Sequence, residues 1–186
     1  YVAELYERVS DVAKGAALMT GTKVSYRTVS AYADLLSVPA MEELMMEAMQ
    51  EAEKPEYADD DYEYAARFAA DQASPSIDTT ILPADQSINL GSTDVGDVSW
   101  QVPTGLIGVT TEAAGCALHT WQIVAQGKSP LAYKGMHYAA RILFAAAKKL
   151  YESPERCALI QDDYQHVIGH RTYQSMLPDS VKPGDF

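Results

Sequence analysis

The chain has 186 residues, 47% apolar and 22% charged, an ordinary balance for a globular protein with one core or with one domain and part of another. It carries 26 acidic against 14 basic residues, and a net charge of -12 repels phosphate backbones and anionic membrane surfaces, which argues against a nucleic-acid or membrane partner. No run reaches the ~18 apolar residues of a membrane span and no signal peptide is visible, while Cys116 and Cys157 form neither a CxxC pair nor a disulfide framework, which fits a reduced, cytosolic setting.

The sequence starts at Tyr1, without Met, and enters an amphipathic pattern at once, as a protein cut in mid-fold would. Val2, Leu5, Val9, Val12 and Ala16 share one helical face, with Gly15 and Gly21 bracketing the stop. Residues 23–29 alternate, with Val24, Tyr26 and Thr28 on one side, and read as a strand. One helix and one strand cannot bury their apolar faces alone, so the pair reads as the end of a truncated α+β domain. Pro39 opens a helix to about Glu53 whose buried side is Leu44, Met45, Ala48, Met49 and Ala52. The acidic run from Glu51 to Glu63 reads as a solvated loop and helix start, since no Gly sits where an EF-hand loop needs one. A second helix is predicted over residues 61–72, ending before Ser74-Pro75 because the residue before Pro is driven from helical geometry.

Residues 74–90 read as a connecting loop with a short strand at 77–82, and the apolar run 105–110 suits a buried strand. Ser129-Pro130 starts the longest helix, with Leu131, Tyr138, Ile142, Leu143, Ala146 and Leu150 as its core stripe. Ser153-Pro154 repeats that signal for a last helix ending at Ile168 and capped by Gly169, and the tail to Phe186 reads as irregular.

Several residues invite a chemical reading. Gly127-Lys128-Ser129 looks like the end of a phosphate-binding loop, but position 122 is Gln where that motif needs Gly. Cys116 precedes His119 by three residues, yet no orienting partner or oxyanion-hole motif accompanies it. His137, His166 and His170 read as structural; Gly169 stops the helix that would align the last two, and no HExxH pattern is present. What remains is the loop 91–100, with Asp94 and Asp97, followed by an apolar run and then His119. Such an arrangement suits a site at the edge of a sheet; turn capping by the two carboxylates and a surface histidine suit it equally.

Gly-Ser-Thr-Asp-Val-Gly-Asp-Val-Ser-Trp at 91–100, Leu-His-Thr-Trp-Gln at 118–122 and Ala-Tyr-Lys-Gly-Met at 132–136 together resemble the M20 metallopeptidase/amidohydrolase family, and most closely its aminobenzoyl-glutamate hydrolase branch. The segment 13–22 resembles the end of that family's lid domain, and the tail 178–184 its C-terminus. The resemblance implies an α/β fold: residues 33–186 as the second half of a catalytic domain with a central sheet flanked by helices, and residues 1–32 as the last helix and strand of an inserted α+β lid. It further implies two divalent metal ions, zinc or manganese, with a Glu general base on the bridging water, acting on an N-acyl amino acid or dipeptide such as p-aminobenzoyl-glutamate. The family's lid commonly mediates homodimers, and a hetero-oligomer with a related subunit is equally implied.

Residue by residue, His119 matches the family's last metal ligand. Asp94 matches the acidic residue of a Ser-Glu-Asp-Phe-like segment, although Thr93 and Val95 replace the Glu and Phe. Asp94 and Asp97 are assigned supporting roles, and Gly115 a backbone contact to substrate. The remaining ligands and the Glu base belong to a half that this sequence lacks, so the chain alone is expected to be inactive. The alternatives are a non-catalytic α/β interaction module or a gene remnant.

Overall fold

The computed structural model describes residues 1–69, 75–84 and 91–182. The expected end of the second helix at Gln72, the second half of the loop 74–90 and the last residues of the tail lie outside them. The described residues hold seven helices: α1 (Val2–Thr20), α2 (Pro39–Glu51), α3 (Asp59–Ala66), α4 (Val95–Ser99), α5 (Trp121–Gln126), α6 (Pro130–Glu152) and α7 (Pro154–Ile168). Two compact units are formed, one from Tyr1–Leu36, Leu90–Gln101 and His170–Phe186, the other from Ser37–Asn89 and Val102–Gly169.

The second unit is a helical core of α2, α6 and α7, with α3 packed on α6. Met41, Leu44, Met45 and Ala48 of α2 are buried, as are Leu131, Tyr138, Ile142 and Ala146 of α6 and Ile160 and Tyr164 of α7. Each large apolar side chain so enclosed contributes about 1.5–3 kcal/mol. The helix starts follow from their sequences. Ser129 Oγ accepts from Ala132 N–H at 3.1 Å and Ser153 Oγ from Arg156 N–H at 3.3 Å, with Pro130 and Pro154 at first positions whose N–H would be unbonded anyway. At the foot of α3, Asp61 accepts from Ala58 N–H at 2.8 Å and from Lys134 of α6, whose ammonium lies 5.6 Å from the Tyr57 ring centre. Burial opposes ionisation of Asp61, but Lys134 and the Ala58 N–H outweigh it and its pKa is lowered.

In the first unit α1 is closed by Gly21 in the left-handed region (φ 66), with Thr22 N–H bonded to the Ala17 carbonyl at 2.9 Å. The apolar face read from the sequence exists but is largely uncovered: Val9 is 66% and Val12 72% exposed, and only Ser10 of the helix is buried. Tyr6 meets Tyr26 edge-to-face at 6.3 Å, and its hydroxyl reaches Thr28 at 3.4 Å.

The expectation of an α/β fold with a central sheet, and of a strand in a lid, is overturned, because the described residues contain no strand. Alternation and β-branching report that a segment packs on an apolar surface; they do not supply the neighbour whose N–H and C=O groups make a ladder. The run 105–110 packs on helices instead. A Cβ on Gly105 would lie 2.7 Å from Met45 Cγ of α2, and one on Gly135 of α6 would lie 2.1 Å from the Thr110 carbonyl oxygen. Thr110 Oγ1 donates to the Asp78 carbonyl, linking the two segments expected to be strands, and Ala114 N–H donates to the Ser76 carbonyl at 2.8 Å just outside them.

Candidate functional site

The expected site residues fall into two groups, one in each unit. Asp94 and Asp97 lie at the start of α4, which the sequence presented as a loop. Asp94 is exposed and makes no side-chain cap; Val95 N–H bonds instead to Thr93 Oγ1 at 3.3 Å. Asp97 is half-buried and engaged. Its Oδ1 accepts from Tyr173 Oη at 2.8 Å and from Ala33 N–H at 3.3 Å. That bond to Asp97, followed by burial, raises the Tyr173 pKa. Next along the helix, Ser99 is fully buried, with Oγ donating to the Gly96 carbonyl at 2.6 Å and accepting from Leu36 N–H at 2.9 Å. Trp100 Nε1 donates to the Asp34 carbonyl at 2.9 Å, while the Arg171 guanidinium lies 4.9 Å over the indole and the Tyr173 ring 6.4 Å away. This cluster of Asp97, Trp100, Arg171 and Tyr173 was not foreseen, since more than seventy positions separate its halves and no local signal joins them.

Gly115 and His119 lie in one turn between the buried Ala113 and α5. Gly115 has φ 70, a conformation open to glycine at no steric cost, and Cys116 N–H closes the turn on the Ala113 carbonyl at 3.2 Å. His119 has φ 60 and is the one non-glycine residue with positive φ among those described. Thr120 Oγ1 donates to the Ala117 carbonyl at 2.7 Å, and α5 starts at Trp121. The imidazole is exposed and belongs to an open concavity of about 740 Å³ lined by Leu118, His119, Thr120, Trp121, Ile123 and Val124. Leu118, Trp121 and Val124 are 69%, 71% and 80% exposed, so apolar surface surrounds the ring.

Among the described residues no group of three or more His, Cys, Asp or Glu side chains comes together as a metal site. His137 and His170 are exposed, and His166 Nδ1 is 2.9 Å from the Asp162 carbonyl on its own helix. No described helix is long and apolar enough to cross a membrane.

Among curated proteins the chain is similar to one of the subunits of p-aminobenzoyl-glutamate hydrolase from Escherichia coli (strain K12), 29% identical over 211 aligned positions that cover 98% of this chain and 44% of that protein. The chain thus spans less than half the length of this relative. No protein-family profile matches the chain. No solved structure matches it either.

Proposed function

We propose that this chain is part of an amidohydrolase that cleaves the amide bond of an N-acyl amino acid such as p-aminobenzoyl-glutamate. The observation that carries the reading is the similarity to a hydrolase polypeptide along 98% of the chain. On this reading residues 1–32 are the end of a lid domain, the rest is the C-terminal part of the catalytic domain, and the protein works in an oligomer with a related subunit.

His119 is the residue assigned to the reaction. An exposed imidazole at φ 60 is held in an uncommon backbone state, and such states cluster where a side chain must point one way. Asp94 and Asp97 are assigned support and Gly115 a backbone contact to substrate. Two divalent ions, as in M20 amidohydrolases, would polarise the carbonyl and activate water. The described residues do not make such a centre: His119 is one imidazole, and zinc sites use three or four protein ligands. The remaining ligands and the Glu base are therefore assigned to polypeptide beyond this chain. A second reading, a helical interaction module without catalysis, is favoured by the uncovered apolar face of α1.

The test is a chimaera in which this chain replaces its counterpart in the E. coli relative within that protein's assembled enzyme. Release of p-aminobenzoate is expected, together with a fall of more than about a hundredfold on His119→Ala, a larger loss than removal of a group behind a ligand causes. A folded, assembled chimaera without turnover would favour the interaction module. Full activity in His119→Ala would remove His119 from the reaction.

A further inference from the structure

Beneath the turn that carries His119 lies a buried amide side chain. Gln126, the last residue of α5, is 1% exposed, and each polar atom of its amide is matched. Oε1 accepts from Ala113 N–H at 2.8 Å, while Nε2 donates to the Gln122 carbonyl at 3.1 Å and to Cys116 Sγ at 3.5 Å. These partners fix the orientation of the amide, since one is an N–H and the other a C=O. A Gln amide offers an acceptor and two N–H donors in one planar group, and a buried amide left unmatched would cost about 1–3 kcal/mol.

Ala113 is anchored in turn, being 2% exposed in a core cluster with Ala65, Ile77 and Leu131. Gln126 therefore ties the start of the turn, at the core, to the helix at its end, and Cys116 in the middle is held by the same group. Between these ties the chain must pass through left-handed conformations at both Gly115 and His119. For histidine that state costs on the order of 1–2 kcal/mol and persists only where its surroundings impose it.

We propose that Gln126 is the positioning residue of His119: its amide clamps the turn 113–120 and thereby presents the imidazole in one orientation. The catalytic consequence rests on the reading of His119 given above, whereas the clamp stands on geometry alone.

Gln126→Met preserves length and apolar bulk but removes all three hydrogen bonds, and Gln126→Glu keeps the acceptor for Ala113 N–H. In the isotope-labelled chain, Gln126→Met is expected to speed hydrogen exchange at Ala113 by about two- to tenfold, the equivalent of one net hydrogen bond. It should also shift the ring resonances of His119 while those of His137 and His170 stay in place. Gln126→Glu should keep the Ala113 amide protected. Faster exchange at Ala113 with an unmoved His119 ring would make Gln126 a core group only and overturn the proposal. Should neither variant fold, relaxation of the unaltered chain decides: a His119 amide order parameter near 0.85 supports the clamp, and one below about 0.6 overturns it. In the chimaera, Gln126→Met should lower kcat by about 10–100-fold. An inert His119→Ala beside a responsive ring in Gln126→Met would sink the functional reading and leave the clamp standing.

Discussion

Glycine inside a helix normally costs about 0.5–1 kcal/mol relative to alanine, through the freedom it holds in the unfolded chain. Gly15 in α1 fits that rule, because a Cβ there would meet nothing within 4 Å. Gly135 in α6 does not. Its Cβ would fall 2.1 Å from the Thr110 carbonyl oxygen and 2.8 Å from Thr111 Cγ2, and the nearer atom is backbone tied down by its neighbours. Overpacking of this kind costs about 1–3 kcal/mol, which exceeds the gain in helix propensity. Gly135→Ala is therefore expected to destabilise the protein by about 1–2 kcal/mol, read as a lower urea midpoint, whereas Gly15→Ala raises helicity. A rise in midpoint for Gly135→Ala would mean that residues 110–111 move aside freely, and that the close approach of this segment to α6 does not position it.

Between elements, one carboxylate joins three helices. Glu47 of α2 binds Arg156 of α7 and, at 2.9 Å, Lys149 of α6, whose ammonium also meets Glu51 at 2.7 Å. The bond from Arg156 first, then that from Lys149, holds the Glu47 carboxyl at about 2 instead of 4.5. With its folded-state pKa depressed, Glu47 takes up a proton more readily in the unfolded chain, so its stabilisation is complete above about pH 4.5 and is lost as pH falls towards 2. Glu47→Gln should then unfold at lower urea than the parent near neutral pH, with the gap closing across that window and narrowing in high salt. A gap constant with pH would reduce the contact to packing. The long helices around it were legible because their signals are local: Ser129, Ser153 and Gly21 mark ends through bonds to residues three or four positions away, and Pro39 marks a start by filling a first position whose N–H would be unbonded. Five-residue α4 and six-residue α5 were not, being too short to show a helical period. Runs such as 105–110 misled for the opposite reason: their pattern is strong, but ladder or no ladder depends on distant chain. Among the candidate residues, His119 and Asp97 stand out in the sequence, whereas Gln126 and Tyr173 give no signal because their partners are set by tertiary packing.

For the molecule as a whole, amide hydrolysis makes three demands: an activated water, a polarised carbonyl and a proton for the departing amine. The described side chains do not meet them together. Among the described residues His119 stands on an exposed turn and joins no group of three or more potential ligands, Asp94 is solvated at the head of α4, and Asp97 is occupied by Tyr173 and Ala33. One imidazole at a water-exposed surface cannot retain a catalytic metal against solvent, and general acid–base help by a single group contributes only about 10²–10⁴-fold, against the 10⁶-fold or more of a working enzyme. The similarity points the same way, because this chain covers only 44% of the hydrolase polypeptide it matches. The 186-residue chain alone is therefore expected to leave p-aminobenzoyl-glutamate uncleaved, with or without added zinc or manganese, in an assay for free p-aminobenzoate. Turnover by the isolated chain that rises with either metal would show that it completes a centre from its own residues, and would overturn the assignment of the other ligands and the base to polypeptide beyond it.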